Sequence, residues 1–146
     1  MRQISYSAEV FAPFETIWKL MLYRIEHPQG YLPGSEDARI IERHDDFLVR
    51  EVTARGIAIT ERVTIDREKR EIRYMPMEHP LFSGTVTQRA VPASRQSPVS
   101  PVLLTMVVDW APKDEEAERI IVENMPSEIQ QEVLSLKDEA EELAKE

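Results

Sequence analysis

The sequence predicts an α+β fold in which a curved antiparallel sheet of about seven strands packs against one long C-terminal helix. Between residues 3 and 110, apolar and polar residues alternate over several separate stretches, which is the period of half-buried strands. From residue 117 to residue 143, apolar residues recur every three or four positions, which is the period of an amphipathic helix. Strands and helices segregated in this way favour a sheet with its helices on one face.

The first strand is predicted at residues 3–11, followed by a short helix at residues 14–25. The alternating apolar residues of the strand are Ile4, Tyr6, Ala8 and Val10. Pro13 suits the start of the helix, because its missing N–H would be unpaired in the first turn anyway. Two prolines and two glycines within residues 27–34 end the helix.

Six further strands are expected, connected as a meander. They are predicted at residues 38–44, 48–54, 57–66, 70–75, 81–91 and 102–110. Asp45-Asp46 and Arg55-Gly56 are turn signals between neighbouring strands. Residues 92–101 contain three prolines and three serines, which predicts an exposed and mobile loop.

The last segment, residues 114–146, is predicted to be helical and to lie across the sheet. Pro126 indicates a kink or short break near residues 125–127. The helical period places four apolar side chains in the core and two acids outside it. We expect Ile129, Val133, Leu136 and Leu143 to be buried, and Glu132 and Glu139 to be exposed.

Composition limits the classes of function. The 146 residues make one domain, spanning residues 1–146, and contain no cysteine, which excludes thiol chemistry and cysteine-ligated metals. The three histidines lack metal-ligand spacing, so neither a metal nor another cofactor is predicted. No apolar run approaches the roughly 20 residues that span a bilayer, and a cytoplasmic location is expected.

The net charge of −9 disfavours nucleic acid as a partner. Residues 113–146 carry 12 acids against 4 bases and therefore hold most of this charge. They form either a solvated helix face or a docking surface for a basic protein. A homodimer is left open.

Hairpin register gives the strongest candidate site. If Arg55-Gly56 is the loop, Arg50 faces Glu61 across the hairpin, and both side chains share a face with aliphatic residues. A buried acid and base can partly offset each other's desolvation. The pair is therefore either a polar anchor for a ligand or a structural salt bridge.

The chain resembles the helix-grip superfamily, which includes START lipid-transfer domains, birch-pollen-type allergens and polyketide cyclases. The element order agrees over the whole chain, and residues 10–18, VFAPFETIW, are the most specific stretch. Residues 27–34 are similar to the loop that follows in the family. Arg50-Glu51-Val52 and Asp109-Trp110 resemble a small branch of the superfamily. The resemblance implies a helix-grip fold, whereas the members differ widely in function.

The function expected is binding of a small, largely apolar ligand, because one helix on a curved sheet leaves a cavity. Arg50, Glu61, Tyr74 and Trp110 are the predicted ligand contacts. Two alternatives remain open. One is an enzyme of the polyketide cyclase type, in which Glu61 transfers protons. The other is a protein-binding module that docks through its acidic terminal helix.

Overall fold

The computed structural model describes residues 2–28, 35–54, 56–80, 82–94 and 97–145. Its elements are β1 (Arg2–Val10), α1 (Phe14–Glu26), β2 (Ser35–Arg43), β3 (Phe47–Ala54), β4 (Ile57–Asp66), β5 (Glu71–Pro76), β6 (Phe82–Ser94), β7 (Ser97–Pro112) and α2 (Glu115–Ala144). In this part of the chain, seven antiparallel strands form a sheet in the order β1-β7-β6-β5-β4-β3-β2. The predicted α+β helix-grip architecture is therefore confirmed. Most of the predicted loop at 27–34, together with Arg55 and Leu81, lies outside the described residues.

The core lies between the inner face of the sheet and the two helices. Alternation along each strand sends one apolar set inward, as Val102, Leu104, Met106, Val108 and Trp110 do in β7. Helix α2 runs alongside β1 in the same direction, because Glu118 contacts Arg2 at one end and Glu141 contacts the Phe11 N–H at the other. This placement buries a continuous stripe of α2 against the sheet.

Two expectations about the buried face of α2 are wrong. Ile129, Val133 and Leu136 are buried as predicted, but Leu143 is 43% exposed. Leu143 follows Glu141, which already contacts the end of β1, so the last turn extends past the strand it packs beside. Glu132, predicted to be exposed, is buried instead. It shares the stripe of Ile129 and Leu136, at spacings of three and four.

Of the kink or short break predicted near residues 125–127, the break is wrong, because α2 is continuous through Pro126, and the kink stays a prediction. Proline removes the hydrogen bond to the carbonyl of Val122, but Val122 is 49% exposed, so water can replace the lost donor. Side chains add local support, since Asn124 donates to the Ile120 carbonyl and Ser127 to the Asn124 carbonyl.

The predicted loop at 92–101 is largely strand. Strands β6 and β7 continue pairing beyond Pro92, which lies opposite Val102, to Ser94 and Ser97, with a register shift between Pro92 and Ser94. Strand β1 ends at Val10, also opposite Val102, so the first residues of β7 lack that second neighbouring strand. Prolines are tolerated there, because an edge strand needs no N–H donor on its free side. Residues 95–96 lie outside the described residues.

The acids of α2 are partly used within the fold. Several of them form ion pairs with bases of this chain, among them Glu118 with Arg2, Glu139 with Arg24, Glu141 with Lys137 and Glu142 with Lys145. Docking of a basic protein on this helix stays a prediction. Neither α1 nor α2 has a stretch long and apolar enough to cross a membrane.

Leu136→Ala should lower the free energy of unfolding by about 2–5 kcal/mol, because Leu136 is 1% exposed and its loss leaves a cavity under α2. Leu143→Ala on the same helix is the matched control and should cost well under 1 kcal/mol, since that side chain is 43% exposed. Urea unfolding measures both values. Equal losses would mean that α2 does not pack on the sheet through this stripe.

Candidate functional site

A cavity of about 120 Å³ lies between the end of α1, the inner face of the sheet and α2. Seven elements, α1, β3 to β7 and α2, contribute to its wall together with Pro28, two residues after the end of α1. The lining residues are Arg24, Pro28, Arg50, Glu61, Tyr74, Val86, Gln88, Met106 and Glu132. Two arginines, two glutamates and a glutamine line this cavity beside apolar side chains, so it is the candidate functional site.

Arg50 and Glu61 meet in the register that the sequence predicts. The β3–β4 hairpin pairs Arg50 with Glu61, and Gly56 in its turn has the positive φ of +78° that favours glycine. The Arg50 Nε and Nη2 atoms each lie 2.8 Å from Glu61 Oε1. The side chains are 5% and 12% exposed, so this ion pair is buried.

Arg50 has two more partners besides Glu61. Its Nη1 atom donates to the Ile25 carbonyl at 2.6 Å, near the end of α1, where a cation is favoured by the helix dipole. Its guanidinium lies 4.8 Å from the centre of the Tyr74 ring, a cation–π contact. Burial raises the pKa of Tyr74 above its ordinary value, so its hydroxyl stays protonated. Arg50 therefore joins two strands, a helix end and an aromatic ring.

Glu132 is the titratable group that the sequence analysis missed. It is 6% exposed, and its Oε1 atom accepts a hydrogen bond of 2.6 Å from Gln88 Nε2. Burial raises the pKa of Glu132 to about 7. The positive charges of Arg24 and Arg50 and the bond from Gln88 oppose this shift, while Glu61 adds to it. A carboxyl group with this pKa is present in both protonation states near neutral pH.

Arg24 and Gln88 were missed as well. Arg24 is 6% exposed, and its Nη2 atom lies 3.1 Å from Glu139 and 3.3 Å from Ser135 Oγ. A signal for each was present in the sequence. Arg24 lies three positions after Met21, on the apolar face of the predicted helix, and Gln88 lies between Val86 and Ala90 on the inward-facing side of β6. In both cases a polar residue occupies a position where the periodic pattern calls for an apolar one.

Trp110 does not belong to the cavity wall. It is 1% exposed and lies four residues after Met106 on β7, which corresponds to about 13 Å along a strand. Arg2 and Gly84 are its cross-strand neighbours. The structure therefore brings together Arg50, Glu61 and Tyr74 and separates Trp110 from them. In the described residues there is no group of three or more histidine or acidic side chains arranged to hold a metal ion.

The family and the fold are identified by comparison. Residues 13–146 match the AtaL family, described as "Acetylaranotin biosynthesis cluster protein L". The match covers most of the chain, which therefore belongs to this family. No curated protein sequence matches the chain.

Solved structures share the fold at low sequence identity. The ZhuI aromatase/cyclase from Streptomyces sp. R1128 is 18% identical with a TM-score of 0.82, over 96% of this chain and 93% of that one. A START superfamily protein from Mycobacterium smegmatis is 18% identical with a TM-score of 0.71, over 97% and 98%. The di-domain ARO/CYC BexL is 17% identical with a TM-score of 0.67, over 90% of this chain but only 45% of BexL. The resemblance to the helix-grip superfamily is confirmed.

Removing one partner of the Arg50–Glu61 pair should destabilise the protein by about 3–5 kcal/mol, because the other charge stays buried. Glu61→Leu and Arg50→Leu should each show this loss in urea unfolding, and the double variant should recover much of it. Glu51→Leu is the control on the same hairpin. Its partner Arg39 is 72% exposed, so that change should cost about 0–1 kcal/mol. Single losses no larger than the control would exclude a structural role for the pair.

Glu132 should make stability depend on pH. Its pKa is raised from 4.5 to about 7 on folding, so the folded state binds more protons between these values. Stability should therefore fall as pH rises from about 4.5 to 7, by about 3 kcal/mol relative to Glu132→Gln. Glu142→Gln, at an exposed position, controls for the loss of one negative charge. A constant difference between wild type and Glu132→Gln across this range would contradict the assignment.

Proposed function

We propose that this member of the AtaL family binds a small molecule in the cavity between the sheet, the end of α1 and α2. The observation that carries the proposal is the placement of Arg50, Glu61, Gln88 and Glu132 around a space of about 120 Å³ inside the core. Buried polar groups cost stability unless they are paired, and apolar residues would fill this volume more favourably. A ligand that binds to these polar groups would explain why they are retained in the core.

The cavity volume limits the size of the ligand. An engineered cavity of about 150 Å³ in another protein holds benzene, so about 120 Å³ suits one six-membered ring or a group of that size. Pro28, Val86 and Met106 supply apolar wall. The proposed ligand therefore places an apolar ring, or the ring end of a larger molecule, against these residues. Its polar substituent points toward the glutamates and arginines.

The proposed contacts differ in part from those of the sequence analysis. Arg50, Glu61 and Tyr74 remain in the proposal, because all three line the cavity. Glu132 and Gln88 join them. Trp110 is not proposed as a ligand contact, because it lies four residues along β7 from Met106 in the cavity wall.

Catalysis is a second candidate function, and Glu132 is the observation that favours it. A general acid or base works best when its pKa is near the working pH, and burial raises the pKa of Glu132 to about 7. ZhuI and BexL, which share the fold, are named as aromatase/cyclases. Adding the co-purified molecule back to ligand-free protein distinguishes binding from catalysis. A binding protein releases it unchanged, whereas an enzyme converts it.

Filling the cavity should abolish binding. Gently purified wild type should carry a small molecule detectable by native mass spectrometry, and Met106→Trp should lose it, because the indole occupies the cavity. Met75→Trp is the matched control, since Met75 is 41% exposed on the neighbouring part of the sheet, whereas Met106 is 8% exposed. Thermal unfolding confirms that both variants fold. Undiminished occupancy in Met106→Trp would contradict the proposed site.

A further inference from the structure

We propose that the cavity selects an uncharged ligand carrying a hydrogen-bond acceptor, such as a ketone carbonyl, and that Glu132 sets this selectivity by donating a hydrogen bond to that acceptor. The inference rests on the proposed function, because it assigns a ligand class to the same cavity.

Charge balance disfavours an anionic ligand. Each guanidinium that lines the cavity already has a carboxylate of its own, since Arg50 lies 2.8 Å from Glu61 and Arg24 lies 3.1 Å from Glu139. Glu132 is the remaining acid, bonded to the neutral Gln88 amide. When Glu132 is ionised, these groups sum to one net negative charge. A carboxylate ligand would meet that charge in a buried site, where repulsion is poorly screened.

A cationic ligand is disfavoured by the same wall. Arg24 and Arg50 both line the cavity, and their side chains are only 5% exposed. With Glu132 protonated, a ligand ammonium would meet no unpaired carboxylate among these groups, because Glu61 and Glu139 are already engaged by Arg50 and Arg24. It would also lose its hydration among the apolar residues that complete the wall.

An uncharged acceptor satisfies Glu132 in its protonated state. Gln88 donates to Oε1, so the proton of the neutral carboxyl group belongs on the other oxygen, Oε2, where it can be donated to a ligand carbonyl. With Glu132 protonated, the charges of Arg24, Arg50, Glu61 and Glu139 cancel. Tyr74, which also lines the cavity, stays protonated and adds no charge.

Three probes that share a six-membered carbon ring and differ in charge test the assignment: cyclohexanone, cyclohexanecarboxylate and cyclohexylammonium. Binding of each to the full chain is measured by ligand-observed NMR at pH 5.5, 7.0 and 8.5. Cyclohexanone should bind best at pH 5.5 and about 30-fold more weakly at pH 8.5, because only about 3% of Glu132 would then be protonated. The two ions should bind at least about tenfold more weakly than the ketone at pH 7.0.

Glu132→Gln should retain cyclohexanone binding and lose its pH dependence, because the amide N–H donates at every pH. Glu142→Gln, exposed near the end of the same helix, should behave as wild type. The wild-type pH profile tests the proposal even if Glu132→Gln fails to fold.

The outcomes separate this inference from the proposed function. Tighter binding of either ion, or pH-independent binding of cyclohexanone to wild type, would overturn the inference and leave ligand binding intact. Absence of binding by all three probes, with no co-purifying molecule in wild type, would overturn the proposed function and the inference together.

Discussion

The buried guanidinium of Arg50 is the interaction on which the site depends. It contacts Glu61 across the β3–β4 hairpin, lies against the aromatic ring of Tyr74 in β5, and donates to the Ile25 carbonyl near the end of α1. A rigid, planar cation with several donors can satisfy these partners at once, which lysine could not. Arg50 thus fixes the helix end against the sheet, and the wall of the cavity is built around this junction.

Local rules explain why so much of this site could be predicted from the sequence. Two-residue periodicity and the position of a tight turn determine which side chains face each other in a hairpin, and a slip of one residue would expose the whole apolar set. Arg50 and Glu61 are eleven residues apart, so the turn fixes their pairing directly. Tyr74 follows from the next hairpin by the same rule, since it lies opposite Val63.

The parts that could not be predicted depend on packing between distant segments. Gln88 and Glu132 are separated by 44 residues, and Arg24 and Glu139 by 115, so no turn determines their approach. The helical period alone leaves open how far the buried stripe of α2 extends. Its actual end follows from the length of β1 beside it. Continuity through Pro126 likewise depends on solvent access at Val122, which only the tertiary structure defines.

Glu132 is the residue whose presence the fold does not explain. Its stripe on α2 is otherwise apolar, and a glutamate there costs free energy that grows as pH rises from about 4.5 to 7, because burial raises its pKa to about 7. Arg50 and Glu61 compensate each other's charge, whereas the hydrogen bond that Glu132 accepts from Gln88 comes from a neutral amide. Residues that lower stability without a compensating structural interaction are typical of functional sites. The case for a ligand therefore rests more on Glu132 than on the ion pair that hairpin register predicts.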